Sequence, residues 1–407
     1  MTVVSRIVSA GDLGTFRGGS GFPMKYQGKK SGDLPFFKVS DMNSAGNELF
    51  MSRANNYITE SRRKSLGAVR VPAGAIVFAK VGAAVFQERK RILAQDSCID
   101  NNMSAFIADG NLIDVRFAHY LLTAFRMSDL VSVGALPSLN GGQLRSIPLL
   151  VPVELSEQRR IVNALKSADD LIATLERLIA KTQAIKRGMM QQLLTGRTRL
   201  PGFTAEWQSV ALGELGVFLK GRGVKRDDVR SSGVSCIRYG ELYTGFINYT
   251  YSAKSFVTNE VAATALPIFK GDLLFAGSGE TRDEIGICVA YVGENAAVAG
   301  GDIIVLRGTG FNPIFLATLI NFPTVANQKA RAGQGDAVVH ISSRALSEIM
   351  VSIPEKPEQD AIAKVLVDAD QELVRLRARL TKARAMKTGM MQQLLTGRVR
   401  LPMEASA

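Results

Sequence analysis

Basic, aromatic and amide side chains that suit contacts with a nucleic acid cluster in polar stretches of the chain. Lysine and arginine neutralise phosphates, whereas arginine, asparagine and glutamine can form paired hydrogen bonds with base edges. Taken singly, each candidate is more often a plain solvent-exposed side chain than a DNA contact. The candidate contacts are Lys25, Tyr26, Gln27, Lys29, Lys30, Ser138, Asn140 and Gln143 in the first half, and Arg222, Lys225, Arg226, Tyr243, Arg282, Lys329, Arg331 and His340 in the second.

Motifs of the common nucleotide- and DNA-modifying enzymes are missing from the sequence. Asn312-Pro313-Ile314-Phe315 lacks the second proline of an adenine methyltransferase motif, and Gly28-Lys29-Lys30-Ser31 lacks the upstream glycine of a phosphate-binding loop. The chain has only two histidines, His119 and His340, and no Cys-x-x-Cys or His-Glu-x-x-His motif. We therefore expect a non-catalytic protein that itself binds no metal or cofactor.

Composition describes an ordinary globular protein with a basic excess. The 407 residues, 46% hydrophobic and 21% charged, suggest two to three domains. The net charge of +13 favours a polyanionic partner, although a simple solubility charge would look the same. Three widely spaced cysteines predict free thiols in a reducing cytoplasm. We expect neither a signal peptide nor a membrane span, because no apolar run reaches about eighteen residues.

The chain contains an internal duplication with a shift of 201 residues. The stretch 157–201 matches 358–402 at 23 of 45 positions without a gap. The segments that precede these stretches are more diverged but retain shared motifs. A period of this length indicates duplicated domains rather than a solenoid. The predicted boundaries are a variable domain at 1–152, a helix at 153–197, a second variable domain at 198–354, a second helix at 355–397 and a tail at 398–407.

The repeated stretch is predicted to be a long helix with an apolar heptad seam. Such a seam is typical of helices that supercoil around each other, and connectivity predicts that the two copies pair antiparallel. Inside each helix, Gly188 and Gly389 predict a kink, a break or a close backbone approach. The seam residues are Ile161, Leu165, Ala168, Ile172, Leu175 and Ile179 in the first copy, and Ile362, Leu366, Ala369, Leu373, Leu376 and Leu380 in the second.

The variable domains contain short apolar, β-favouring runs that are bounded by glycine, proline or asparagine. Examples are 34–39, 75–79, 235–239 and 302–306, while 117–122 and 314–319 have the pattern of short helices. We therefore predict an α+β fold for each domain. Tyr239, at the end of one predicted strand, is expected to lie in the core.

Taken together, the duplicated arrangement resembles the specificity (S) subunit of type I restriction–modification systems. In that family two variable domains alternate with two similar long helices, and the resemblance covers nearly the whole chain. It is carried by the helix ends GMMQQLLTGR at 188–197 and 389–398, by GGSGFP at 18–23 with PFFKVSDM at 35–42, and by KGRGV at 220–224 with IRYGEL at 237–242.

The resemblance implies a non-catalytic adaptor with two target-recognition domains, 1–152 and 198–354, and a coiled coil of antiparallel spacer helices related by a pseudo-twofold. It implies that each domain reads one half of a split, asymmetric double-stranded DNA site, while the helices set the spacer and dock two modification subunits. Those adenine methyltransferase subunits would use S-adenosylmethionine. Two restriction subunits would add ATP- and Mg-dependent translocation and cleavage.

Two other functions are compatible with the same residues. The chain could be a stand-alone DNA-binding or regulatory protein without enzyme partners, or an enzyme with an unfamiliar site. Clustered basic residues late in each helix could line the DNA spacer or dock an acidic partner, or could be a solvated helix face. These residues are Lys181, Lys186, Arg187, Arg197 and Arg199, then Lys382, Arg384, Lys387, Arg398 and Arg400.

Overall fold

A computed structural model of the chain describes residues 5–131, 137–335 and 338–402. The chain forms two compact units. The first unit comprises 1–176 and 378–407, and the second comprises 177–377. Both long helices contribute one half to each unit, so each unit contains one variable domain and one piece of each helix.

The first unit is built on a five-stranded sheet that buries aromatic side chains against a helix. Phe78, Phe106 and Phe117 share one core with Ile161 and Leu165 of the first long helix. The strands lie in the order β2 (Gly14–Gly18), β9 (Met103–Ala108), β6 (Ile76–Ala79), β7 (Lys90–Leu93) and β4 (Phe50–Met51). A three-stranded sheet has the order β5 (Tyr57–Ile58), β3 (Leu34–Phe37) and β8 (Cys98–Ile99). In a separate two-stranded sheet, β1 (Ser5–Ser9) pairs antiparallel with β10 (Pro148–Pro152). Three helices complete the unit: α1 (Glu60–Ser65), α2 (Val115–Ala124) and α3 (Gly141–Arg145).

The second unit repeats the order of the five-stranded sheet and contains further strands in its smaller sheets. Its five-stranded sheet has the order β12 (Gly216–Lys220), β21 (Ile303–Gly308), β17 (Leu273–Ala276), β19 (Cys288–Tyr291) and β14 (Tyr249–Thr250). A four-stranded sheet contains β15 (Ser255–Val257), β13 (Val234–Ile237), β20 (Ala297–Ala299) and β16 (Leu266–Ile268). Two further pairs are β11 (Gln208–Ala211) with β23 (Met350–Ile353), and β18 (Ser278–Gly279) with β22 (Val339–His340). The helices are α5 (Tyr239–Thr244), α6 (Asn259–Thr264), α7 (Pro313–Ile320), α8 (Pro323–Ala332) and α9 (Ser343–Ser347).

The duplicated stretches form two long helices of 39 residues each, α4 (Leu155–Leu193) and α10 (Lys356–Leu394). Within the first unit, Asp169 pairs with Lys387 and Glu176 with Arg384, so the two helix segments run antiparallel. The helix segments of the second unit are antiparallel as well. Lys186 of α4 pairs with Asp370 of α10, and Leu193, later in α4, shares a core with Ile362, earlier in α10. The predicted α+β class with duplicated domains and paired helices is confirmed.

The predicted seam faces inward in both units. Seven of its residues are buried, namely Ile161, Leu165, Leu175, Ile362, Leu366, Leu373 and Leu376, and five are half-buried, namely Ala168, Ile172, Ile179, Ala369 and Leu380. Lys186 and Lys387, which continue the seam, replace apolar contacts with ion pairs to aspartates of the facing helix.

The break and the close approach that were expected at Gly188 and Gly389 are wrong. Both α4 and α10 continue through these positions. A Cβ atom at either glycine would meet nothing within 4 Å. A glycine inside an exposed helical segment costs stability because of its backbone entropy, but it need not interrupt the hydrogen-bond ladder.

Candidate nucleic-acid interface

The lysine-rich stretch of the first domain presents a tyrosine between two cations. The Arg62 guanidinium lies 4.1 Å and the Lys25 ammonium 5.1 Å from the centre of the Tyr26 ring. Lys29 and Lys30 are exposed beside it. Arg62 reaches the cluster from α1, so only the fold reveals that it belongs to this surface. Exposed cations around an aromatic ring can contact phosphates and stack on bases.

Three of the predicted amide contacts in the first domain have structural roles. The Gln27 side-chain amide donates to the Phe22 carbonyl at 2.8 Å and accepts from the Lys38 ammonium at 3.0 Å. Asn140 and Gln143 form a reciprocal capping box at the start of α3, with N–H···O distances of 2.8 and 3.2 Å. These bonds satisfy backbone donors at the helix start, and they hold the side chains in fixed rotamers.

A polar site lies where three segments of the first unit meet at the ends of β6 and β9. The Lys80 amide, directly after β6, donates to the Asn102 carbonyl at 2.8 Å. The Leu139 amide donates to the Lys80 carbonyl at 2.9 Å, and exposed Ser138 forms a bridge with Val81. We call this group of residues around Lys80 the first strand-end site.

The second unit contains the topologically equivalent site, at the ends of β17 and β21. The Gly277 amide donates to the Asp302 carbonyl at 2.7 Å, and the Ile341 amide donates to the Gly277 carbonyl at 2.9 Å. Asp302 has a φ of 60°, a left-handed conformation that aspartate tolerates better than most residues. We call this group around Gly277 the second strand-end site.

A pocket of about 330 Å³ opens at the second strand-end site. Lys220, Asp302, Gln334 and His340 contribute hydrogen-bonding groups to its lining. A hydrogen bond of 2.9 Å joins the Ser278 hydroxyl and Nδ1 of His340, which orients the exposed imidazole. The pocket therefore combines a cationic donor, a carboxylate acceptor and amide and imidazole groups, the types that discriminate base edges.

Two further predicted residues lie near this pocket. The Tyr243 hydroxyl donates to the Ser278 carbonyl at 2.9 Å, and burial raises the pKa of Tyr243 to about 12, so its proton stays in place. The Arg282 guanidinium donates to the carbonyls of Gly333 and Gly335 at 3.3 and 3.2 Å. The structure thus places Tyr243, Arg282 and His340 beside the segments that border this pocket. The other predicted basic side chains, Arg222, Lys225, Arg226 and Arg331, are exposed.

Two expectations about single residues of the second domain require correction. Lys329 is only 3% exposed, and its ammonium donates to the Gly286 carbonyl at 2.6 Å, so it is not placed to contact DNA at the surface. Burial lowers the pKa of Lys329 to about 8. Tyr239, expected in the core, is 42% exposed because it begins α5 instead of ending a strand. An aromatic residue at a strand end is ambiguous in sequence, since the following turn decides which face it takes.

Intramolecular ion pairs use part of the basic cluster that lies late in each repeated stretch. Lys186, Arg199, Arg384 and Lys387 pair with carboxylates of the facing helix at 2.5–2.6 Å. The remaining six basic side chains are exposed, namely Lys181, Arg187, Arg197, Lys382, Arg398 and Arg400. The positive charge that a partner could meet is therefore smaller than the sequence suggests.

Sequence analysis did not identify the residues that attach each domain to its helix. The buried Gln158 side chain accepts from the Asp114 amide at 2.8 Å and donates to the Leu112 and Pro152 carbonyls. In the second unit Gln359 accepts from the Asn312 amide at 2.9 Å and donates to a carbonyl. The signal was available, because this glutamine is identical in both copies of the duplication.

Within the described ranges, no group of three or more histidine, cysteine or acidic residues is placed to hold a metal ion. The same ranges contain no helix with the length and apolar character needed to cross a membrane. Cys98, Cys236 and Cys288 are free and buried, and burial raises their pKa values to about 11, 12 and 12, which makes them poor nucleophiles.

The sequence of residues 5–186 matches the family model described as the type I restriction modification DNA specificity domain. A putative type I restriction enzyme specificity subunit (MjaX) from Methanocaldococcus jannaschii is 21% identical over 374 residues, which cover 85% of this chain and 83% of that relative. These similarities support a specificity (S) subunit of a type I restriction–modification system.

Solved structures support the S-subunit fold. The S subunit from M. genitalium superimposes with a TM-score of 0.59 at 14% identity, covering 97% of this chain and 96% of that one. A chain from a study of complex assembly and conformational transition of a type I system gives a TM-score of 0.58 at 14% identity, with 98% and 100% coverage.

Proposed function

We propose that this chain is a type I S subunit, a non-catalytic adaptor whose two recognition domains each read one half of a split, asymmetric DNA site. The observation that carries the proposal is the pair of strand-end sites. They share the same backbone hydrogen bonds, yet Lys80, Asn102 and Ser138 in the first correspond to Gly277, Asp302 and His340 in the second.

Different hydrogen-bonding groups on one scaffold would read different bases. A lysine donor suits guanine, whereas a carboxylate accepts from the amino group of cytosine. Equivalent scaffolds with unlike side chains therefore support an asymmetric target with two unequal halves. The exposed cations of the Tyr26 cluster and of the 222–226 loop would supply sequence-independent phosphate contacts.

We further propose that the paired helices set the unread spacer and dock two modification subunits. The exposed basic residues of α4 and α10 support contacts with the spacer DNA or with those subunits. S-adenosylmethionine would be bound by the modification subunits, and ATP with Mg by two restriction subunits, so this chain itself would hold no cofactor. The stand-alone regulatory alternative predicts no methylation that depends on this chain.

Domain exchange tests the proposal. The full chain is co-expressed with the methyltransferase subunit of its system in a host without adenine methylation, and the methylated motif is sequenced. Replacing residues 1–152 by the corresponding domain of another S subunit should change one half of the motif and leave the other unchanged. A change in both halves, or methylation that does not require this chain, would contradict the proposal.

The purified chain provides the control for the adaptor role. Unmethylated DNA with S-adenosylmethionine, or with ATP and Mg, should show no turnover above buffer when the chain is alone. Turnover proportional to the concentration of this chain would identify it as an enzyme instead.

A further inference from the structure

Each recognition domain touches the helices at a polar cluster of three residues. In the first unit, the Tyr120 hydroxyl donates to Asp169 Oδ2 at 2.6 Å, and the Lys387 ammonium lies 2.6 Å from Asp169 Oδ1. Tyr120 belongs to α2, Asp169 to α4 and Lys387 to α10. A single carboxylate thus joins the domain to both helices.

The second unit has the same three-residue cluster with the helix roles exchanged. The Lys186 ammonium of α4 lies 2.5 Å from Asp370 Oδ1 of α10, and the Tyr249 phenol lies close enough to Asp370 for that carboxylate to contribute to its raised pKa. The aspartates and lysines are equivalent under the 201-residue shift, but the tyrosines are not: Tyr120 lies in a helix and Tyr249 in strand β14. Two unrelated positions therefore supply the same group, which indicates a functional requirement for it.

These clusters are partly sheltered from solvent. Side-chain exposure is 13% for Lys186, 22% for Asp370, 27% for Lys387 and 32% for Asp169, and Tyr120 is 2% exposed. Burial, together with the neighbouring aspartate, raises the pKa of both Tyr120 and Tyr249 to about 12. Both phenols therefore remain protonated donors at neutral pH, and hydrogen bonds to a charged acceptor are the stronger class.

A second attachment lies three helical turns away on the same helix. Gln158 precedes Asp169 by eleven residues, which corresponds to about 16 Å along α4. Gln158 binds the backbone where α2 begins, and Tyr120 binds from the middle of α2. Two separated attachments define an angle as well as a position, whereas one would leave the domain free to swing about it.

We propose that Tyr120 and Tyr249 are positioning residues that hold each recognition domain at a fixed angle on the helix segments of its unit. This inference rests on the proposed reading of a split site, because its consequence is spacer fidelity. A domain held at one angle presents its strand-end site at one distance from the helix, so the complex accepts one spacer length. Loss of the phenol hydroxyl would let the domain change its angle on the helix segments without altering the base-reading side chains.

The test uses the full chain with its methyltransferase subunit and methylome sequencing. The variants are Tyr120→Phe and Tyr249→Phe, which keep the ring and remove the hydroxyl. Tyr291→Phe is the matched control, because the hydroxyl of buried Tyr291 bonds the Asn295 carbonyl within its own domain. Both test variants should keep the half-site sequences. The share of methylated sites whose spacer is one base pair longer or shorter should rise roughly tenfold, which is equivalent to about 1.4 kcal/mol. The control should match the wild type.

Several outcomes overturn the inference. An unchanged spacer distribution in well-methylated Tyr120→Phe and Tyr249→Phe samples would overturn it. Altered half-site sequences would also overturn it, because the tyrosines would then take part in base reading. If Tyr120→Phe does not assemble, Asp169→Ala, which removes the acceptor of the Tyr120 hydroxyl, should relax the spacer. Unchanged spacer fidelity in Asp169→Ala would then overturn the inference.

The wild-type sample separates this inference from the proposed function. If wild-type protein yields no two-part motif, the proposed function fails by itself. The positioning role is then read from hydrogen–deuterium exchange of α2 amides in the full chain. Exchange should be faster in Tyr120→Phe than in Tyr291→Phe, and equal protection would overturn the role.

Discussion

Arg199 binds the buried carboxylate of Glu358 through two parallel hydrogen bonds of 2.6 Å. The pair joins the segment that follows α4 to the first turn of α10 within the second unit, and Glu358 is 2% exposed. Glu157 occupies the equivalent position in the first unit, where it is 5% exposed and its Oε2 has no partner among the described residues. Arg400, the equivalent of Arg199, lines the same small crevice as Glu157.

Arg199→Ala should destabilise the second unit, because it leaves the Glu358 carboxylate buried without its cation. We expect the midpoint of thermal unfolding to fall by several degrees for a unit of this size. Arg197→Ala is the control, since Arg197 is exposed two residues earlier and should have little effect. Equal midpoints for the two variants in calorimetry would show that the paired hydrogen bonds between Arg199 and Glu358 do not stabilise the second unit.

Because His119 is buried, we expect the free energy of unfolding of the first unit to decrease in acid. Burial lowers the pKa of His119 to about 4, while the unfolded chain has a value near 6.5. Because the unfolded state binds the proton first, this contribution to stability is complete above about pH 6.5 and is lost as the pH falls towards 4. The loss should be at most about 3 kcal/mol in denaturant unfolding. His119→Gln should remove this dependence, and exposed His340→Gln should retain it; identical pH profiles would refute the assignment.

Salt dependence of DNA binding distinguishes exposed from buried lysines. Lys225→Ala should reduce the slope of log K against log salt concentration by about one, as expected for one lost phosphate contact. Lys329→Met should leave the slope unchanged, because its ammonium is bonded inside the second domain. A reduced slope for Lys329→Met in fluorescence titrations would place this lysine at the DNA after all.

A heptad insertion tests whether the helices act as a ruler. Seven residues are inserted after Glu176 and after Ala383, which keeps the Glu176–Arg384 pair together and preserves the apolar phase. Each helix grows by about 10 Å, so the spacer should grow by about three base pairs if length alone sets it. Sequencing of the methylated motif provides the measurement, and two-residue insertions, which rotate the seam, are the control. An unchanged spacer in a folded heptad variant would assign the distance to the methyltransferase subunits.

Local patterns predicted the two long helices and several of the shorter elements. The runs at 34–39, 75–79 and 302–306 correspond to β3, β6 and β21, and 117–122 lies inside α2. These segments are predictable because each buries a nearly continuous apolar surface, and the helix seam repeats every seven residues. Gly188 misled the prediction, since helix continuity depends on the neighbouring hydrogen-bond ladder rather than on one residue.

What the sequence determined by itself was the architecture: a duplication, two heptad seams, two α+β domains and the motifs shared with S subunits. The tertiary structure alone decided which polar residues work together. Asn140 and Gln143 cap a helix, Lys329 is buried, and Tyr120 meets Asp169 across 49 positions of sequence. Periodicity records only the burial of apolar faces, whereas polar contacts depend on distance and angle between segments that are remote in sequence. The assignment of base-reading, capping and positioning roles therefore required the folded chain.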